Sequence, residues 1–264
     1  MKVRSLISVL LLLTAGLQKV YAQKVVLYKA NSQTIEYDVS ELDSIVFVEE
    51  DVIIDDTHGI TNGHEWVDHG LPSGTLWATC NVGADSPEDY GDYFAWGETE
   101  PKDYYGWNTY KYCNGSENTL TKYCRHWSYG YNNFTDTLSV LLPDDDAATA
   151  NWGENWQMPT DEQMTELFHR NNTTTTWTTQ NGVEGRLITS KSNNKTLFLP
   201  AAGCRTGSIL FMGSSGSKGC YWSRSLNYNK SVDALDLSFD EDDVEWDSGW
   251  YRETGQSVRP VRKR

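Results

Sequence analysis

Three runs in the last third decide the fold: Leu197-Phe198-Leu199-Pro200-Ala201-Ala202-Gly203, Gly219-Cys220-Tyr221-Trp222-Ser223-Arg224-Ser225 and Ala234-Leu235-Asp236-Leu237-Ser238-Phe239. In the third run Leu235, Leu237 and Phe239 alternate with Asp236 and Ser238, the period-2 pattern of a half-buried strand. Upstream, residues 185–190 and 196–200 flank Lys191-Ser192-Asn193-Asn194 and predict a β-hairpin. Pro260, beside Val258 and Val261, predicts an edge position or a strand end, because proline cannot donate to a sheet ladder. Residues 161–170 predict a helix. Thr160 stands at its N-cap, Gln163 follows three residues later to complete a capping box, and Met164, Leu167 and Phe168 form an apolar stripe. The acid-led segment 144–150 suits a second short helix, since carboxylates favour a helix N-terminus. Closer to the start, 65–68, 76–80 and 93–96 predict strands, and 70–74 a turn. Two short helices followed by a run of strands predicts the α+β class.

Four further stretches belong with these runs. They are Gly70-Leu71-Pro72-Ser73-Gly74-Thr75-Leu76-Trp77-Ala78-Thr79-Cys80-Asn81-Val82-Gly83, Tyr90-Gly91-Asp92-Tyr93-Phe94-Ala95-Trp96-Gly97-Glu98, Trp156-Gln157-Met158-Pro159-Thr160-Asp161-Glu162-Gln163 and Gly255-Gln256-Ser257-Val258-Arg259-Pro260-Val261. As a set they resemble the Fibrobacter succinogenes major paralogous domain, a family common in secreted proteins of gut Bacteroidetes. The resemblance spans about residues 64–262. It implies a C-type lectin-like domain, distantly similar to formylglycine-generating enzymes, with two short helices, a mostly antiparallel and loop-rich sheet, and a binding face built from the C-terminal part. Gln157, Arg224 and Met164 depart from the Arg, Ser and Trp expected there in relatives.

The N-terminus predicts export. Lys2 and Arg4 precede an apolar stretch over 6–17, and Val20-Tyr21-Ala22 fits a cleavage site before Gln23. The apolar stretch is short for a bilayer span, and no later segment is apolar enough for one. Residues 1–22 thus read as a signal peptide and the mature chain as secreted, periplasmic or cell-surface. Residues 23–49 read as a small β module, with strands at 25–28, 34–39 and 45–48, that could dock on a partner. The acidic and then Gly/Asn-bearing segment 50–63 reads as a linker, and the main domain as 64–264. Loss of Lys2, Arg4 and Lys19 on cleavage would take the formal charge from −15 to −18. Such a chain does not hold nucleic acid through general phosphate attraction.

Five cysteines follow the signal, in an oxidising compartment. Cys113 with Cys124 and Cys204 with Cys220 are the candidate disulfides, each contributing on the order of 3 kcal/mol if unstrained. A bridge at Cys113–Cys124 would give shape to the Tyr/Asn/Gly-rich region 98–143. The formylglycine-generating enzymes use cysteine-bound copper, but the residues around Cys204 and Cys220 do not match their active-site motif. His58, His64 and His69 are not spaced for one helical face, and no Gly-x-Ser-x-Gly elbow is present. No enzyme activity is expected. No cofactor is implied; calcium remains an open reading at Asp144-Asp145-Asp146 and Asp240-Glu241-Asp242-Asp243, where the alternative is solvated turns and helix N-terminal charge.

Eleven Trp and fifteen Tyr against seven Phe leave both a core and a binding face to be filled by amphipathic rings. Arg205, Arg224, Asn227, Tyr228, Asn229, Trp246, Trp250, Tyr251 and Arg252 are the candidate ligand-binding residues. Aromatic faces, amides and guanidinium groups suit sugar stacking with orienting hydrogen bonds, or a protein contact. The expectation is an exported, non-enzymatic, adhesin-like protein that presents this face to a glycan or a protein. The alternative is a structural subunit of a cell-surface assembly.

Overall fold

Short runs of β-branched and aromatic residues, separated by tight turns, build the sheets. The computed structural model describes residues 24–28, 34–38, 52–55, 57–211, 216–245 and 249–263. The chain divides into two units, Met1–Val48 and Glu49–Arg264. In the first, β1 (Lys24–Tyr28) pairs antiparallel with β2 (Thr34–Asp38), Lys24 opposite Asp38. The expected signal segment and the strand expected at 45–48 lie outside the described residues.

The second unit begins with β3 (Val52–Asp55), β4 (His58–Thr61), β5 (His64–Asp68) and β6 (Thr75–Ala78). Two short helices follow, α1 (Ala147–Trp152) and α2 (Asp161–Phe168). Then come β7 (Thr173–Gln180), β8 (Val183–Ser190), β9 (Thr196–Pro200), β10 (Cys204–Thr206) and β11 (Ile209–Phe211). The chain ends with β12 (Gly219–Leu226), β13 (Asp233–Phe239), β14 (Val244–Glu245), β15 (Trp250–Tyr251), β16 (Gly255–Gln256) and β17 (Val261–Lys263).

These strands form four sheets: β17-β6-β5-β4-β3, β7-β8-β9, β12-β13-β14 with β15 also on β13, and β11-β10-β16. Every pairing between them is antiparallel. The expected α+β class is therefore corrected: the unit is β-rich. Its helices are only six and eight residues long. Helices so short take their stability from packing and cannot make a layer of their own.

The expected linker also proves to be sheet. Residues 52–55 and 58–61 are β3 and β4, and β4 turns into β5 through Asn62 and Gly63, both at positive φ. Asn181 and Gly182 close the β7–β8 hairpin in the same way. Asn-Gly is the favoured pair for such turns because both central residues need φ > 0.

Two apolar clusters fill the interior, and several strands feed both. Trp66, Leu76, Ala78 and Trp222 enter one; their neighbours Val67, Trp77 and Tyr221 enter the other. Alternate side chains of a strand point to opposite faces, so β5, β6 and β12 are buried on both sides. The α2 stripe of Met164, Leu167 and Phe168 packs into the second cluster. Its capping box is present: the Thr160 hydroxyl accepts from the Gln163 N–H at 3.2 Å, and Gln163 Oε1 accepts from the Thr160 N–H at 2.9 Å.

Region 98–143 is ordered without a disulfide. All five cysteines are free thiols. Cys113 donates to the Trp107 carbonyl at 2.9 Å and Cys124 to the His126 carbonyl at 3.3 Å, so the expected bridge between them is corrected. The backbone of Leu120 instead bridges to both Cys113 and Gly130. The Asp136 carboxylate accepts from the backbone N–H groups of Tyr123, Cys124 and Leu138. Cys204 and Cys220 are buried, free, and hydrogen-bonded thiol to thiol. The Cys204 contact, with burial, pushes the Cys220 thiol well above its ordinary range.

Candidate functional site

The hairpin from β12 to β13 and the short β15 strand build a pocket of about 390 Å³, within the usual range for small-ligand sites. β15 pairs with the start of β13, placing Tyr251 opposite Asp233 and Trp250 opposite Ala234. Asn227 organises the preceding turn: its Oδ1 accepts from the N–H groups of Asn229 and Lys230 at 3.0 and 3.2 Å. Gly249 sits at φ +68°, and a Cβ there would fall 2.7 Å from Asn227 Nδ2. Glycine is thus required both for its φ and for the close approach of the two segments.

Thr206, Lys230, Asp233, Gly249, Trp250, Tyr251, Glu253 and Thr254 line the pocket. Lys230 Nζ donates to both Asp233 oxygens, at 3.1 and 2.8 Å, and lies 4.5 Å from the centre of the Tyr251 ring. Burial opposes the Lys230 charge, but Asp233 more than offsets it and the pKa rises. Tyr251 is 41% exposed and meets Trp107 in a T-shaped contact, ring centres 6.0 Å apart. Glu253 is 9% exposed, and its Oε2 has no hydrogen-bond partner. Desolvation pushes its carboxyl up to about 7.

The nine candidate residues separate in three dimensions. Trp250 and Tyr251 line the pocket, and Asn227 shapes its wall. Tyr228 is 69% exposed in the adjoining turn with Asn229, its ring stacked on the Arg125 guanidinium at 4.5 Å. Arg205 lines a different recess of about 280 Å³, 5.2 Å from the Tyr93 ring centre. Trp246 lies outside the described residues.

Arg224 and Arg252 are internal struts. Arg224 donates to Leu141 O at 2.6 Å and to Gln157 Oε1, and sits 3.8 Å from Asp146. Two of the three departures from the expected motif, Gln157 and Arg224, are therefore bonded to each other. Arg252 is fully buried. It donates to the Tyr110 hydroxyl at 2.8 Å and to the carbonyls of Tyr123, Ser231 and Lys122 at 3.0, 2.9 and 3.1 Å. Its guanidinium lies over the Trp96, Tyr110 and Tyr123 rings. As a ligand-binding residue it is corrected.

Lys230, Asp233, Thr206 and Glu253 were not among the sequence candidates. The i,i+3 spacing of Lys230 and Asp233 was a readable signal. For Glu253 there was none, because its unpaired state follows only from tertiary burial.

The histidines do not converge. His58 lies 3.8 Å from Glu65, His64 stacks on Trp152 at 3.7 Å, and His69 is buried. Among the described residues no group of three or more His, Cys, Asp or Glu is placed to hold a metal ion. The two acidic stretches have other partners. Asp145 accepts from the Tyr112 and Tyr123 hydroxyls and from Lys122. Asp146 caps α1 through the Thr149 N–H at 3.0 Å. The carbonyls of Asp240, Glu241 and Asp243 receive the Arg186 guanidinium. No described helix is long and apolar enough to cross a membrane.

No protein-family model, curated protein or solved structure matches the chain.

Proposed function

We propose that this is an exported, non-enzymatic binding protein whose ligand is a glycan, held in the pocket between the turn after β12 and the β15 segment. One observation carries the reading. The pocket sets an exposed Tyr251 ring and a half-buried Trp250 beside three polar side chains, Lys230, Asp233 and Glu253. A sugar ring presents apolar C–H faces and a rim of hydroxyls. It stacks on aromatic rings while its hydroxyls bond to flanking carboxylates and amines. The basic, apolar and small-residue pattern of residues 1–22 supports export. The resemblance to the Fibrobacter succinogenes domain family supports a binding role over a catalytic one.

A glycan array followed by titration calorimetry tests the reading. The Tyr251→Ala variant is expected to lose at least about tenfold in affinity for any captured glycan. Its melting temperature should stay close to that of the parent, because partly exposed side chains rarely carry more than about 0.5 kcal/mol of stability. Unchanged affinity in that variant would move the site elsewhere.

A further inference from the structure

The two cations nearest the pocket carboxylates are already matched. Lys230 is held by both oxygens of Asp233, and Lys102 pairs with Glu98 at 2.8 Å. Glu253 is the carboxylate left over. It lines the pocket, it is more than nine-tenths buried, and its Oε2 meets no donor from the protein. The other charges acting on it are Asp233 and Glu117, both acidic, and Lys102. When Glu253 is ionised the pocket has one negative charge more than it has positive ones, on a carboxylate that the protein leaves with an unmet acceptor. A buried acceptor without a partner is costly, and a charged donor repays more of that cost than a hydroxyl does.

We infer that the pocket selects a glycan bearing a free amine: an unacetylated hexosamine whose ammonium pairs with the Glu253 carboxylate while its ring lies against Tyr251. This rests on the glycan-binding reading and narrows it to one substrate class. The amine brings the proton-rich cation that the site lacks. An N-acetyl group would put a neutral amide and a methyl group against the same oxygen. In the free protein Glu253 holds its proton up to about 7. An ammonium beside it stabilises the carboxylate, so binding below that pH expels the carboxyl proton to solvent.

Three β-1,4-linked tetrasaccharides, built from glucosamine, N-acetylglucosamine and glucose, separate the possibilities by calorimetry on the full chain. The glucosamine tetramer is expected to bind at least about tenfold more tightly than either neutral one. At pH 6 its titration in buffers of different ionisation enthalpy should show proton release. Glu253→Gln, close in shape, should abolish both the preference for the glucosamine tetramer and the proton release. Glu241→Gln makes the same charge change on a distant acidic loop and should change nothing. If both variants lower glucosamine binding alike, the attraction is bulk charge and the inference falls. If the three sugars bind equally and Glu253→Gln is silent, the glycan reading stands and the amine selection is wrong. Failure of the glucosamine tetramer to bind overturns the inference whatever the array captures.

Discussion

Arg252 lies next to the pocket-lining Tyr251, yet it does the opposite job. Alternation in the chain sends Tyr251 outward and Arg252 into the core, where it ties β15 to the 122–124 loop and to Ser231. A buried guanidinium is tolerable because each of its nitrogens has an acceptor and aromatic rings flank it. Arg252→Ala would leave three carbonyls and the Tyr110 hydroxyl without their donor. Urea unfolding should show a loss of roughly 3 kcal/mol or more. Arg252→Lys should recover little of it, since one ammonium cannot reach acceptors arranged around a planar fork. A loss below about 1 kcal/mol in the Ala variant would show that solvent takes over those acceptors.

At the scale of elements, local chemistry decides where chains turn and tertiary contact decides how they pack. The α2 helix has only eight residues, so its start depends heavily on the Thr160–Gln163 box. Thr160→Ala is expected to cost about 1 kcal/mol, read from the urea midpoint at unchanged slope. Thr160→Asn should restore most of it. The Asn62-Gly63 and Asn181-Gly182 turns follow the same logic, and both pairs are visible in the sequence. Each is a short-range hairpin signal, although the acidic run before the first reads as a linker. The 98–143 region follows a different logic. Carboxylates within and just after it, Asp136 and Asp145, and the distant Arg252 satisfy its backbone and hydroxyl groups, and the two cysteines there bond to carbonyls rather than to each other.

For the whole molecule, two buried groups with displaced pKa values set opposite pH slopes. Desolvation lowers His69 to about 4 from an ordinary 6.5, and neither ring nitrogen has a side-chain hydrogen-bond partner. The native state keeps His69 neutral while the unfolded chain takes up a proton. Its stability is complete above 6.5 and is lost as pH falls toward 4, by roughly 3 kcal/mol in all. Glu253 runs the other way, from an ordinary 4.5 up to about 7. Its contribution is complete below 4.5 and is lost as pH rises through 7, again by roughly 3 kcal/mol. Stability measured by urea between pH 4 and 8 should therefore change in both directions under substitution. Glu253→Gln should gain above pH 7 and be neutral at pH 4, and His69→Asn should flatten the slope between 6.5 and 4. A Glu253→Gln curve parallel to the parent at every pH would mean that the carboxyl is solvated in the native protein.

The sequence by itself determined the local grammar: the capped helix at 161–168, the hairpin of 183–190 with 196–200, and strand runs at 219–226 and 233–239. These signals are short-range, because capping, turn chemistry and alternation act over a few residues. The order of two short helices and a run of strands points to α+β, but helix length and what covers each sheet face are not local properties, and they make the unit β-rich. Tertiary structure alone decided which of the aromatic and cationic residues near the end face solvent. Tyr251 and Arg252 are adjacent and equally plausible in composition, yet one lines the pocket and the other is buried. The 98–143 region fixes that choice, since Tyr110, Lys122 and Tyr123 accept from Arg252 while Trp107 packs on Tyr251. The most informative residue of the site has no sequence signature, because being unpaired is a property of the assembled surroundings and not of the chain.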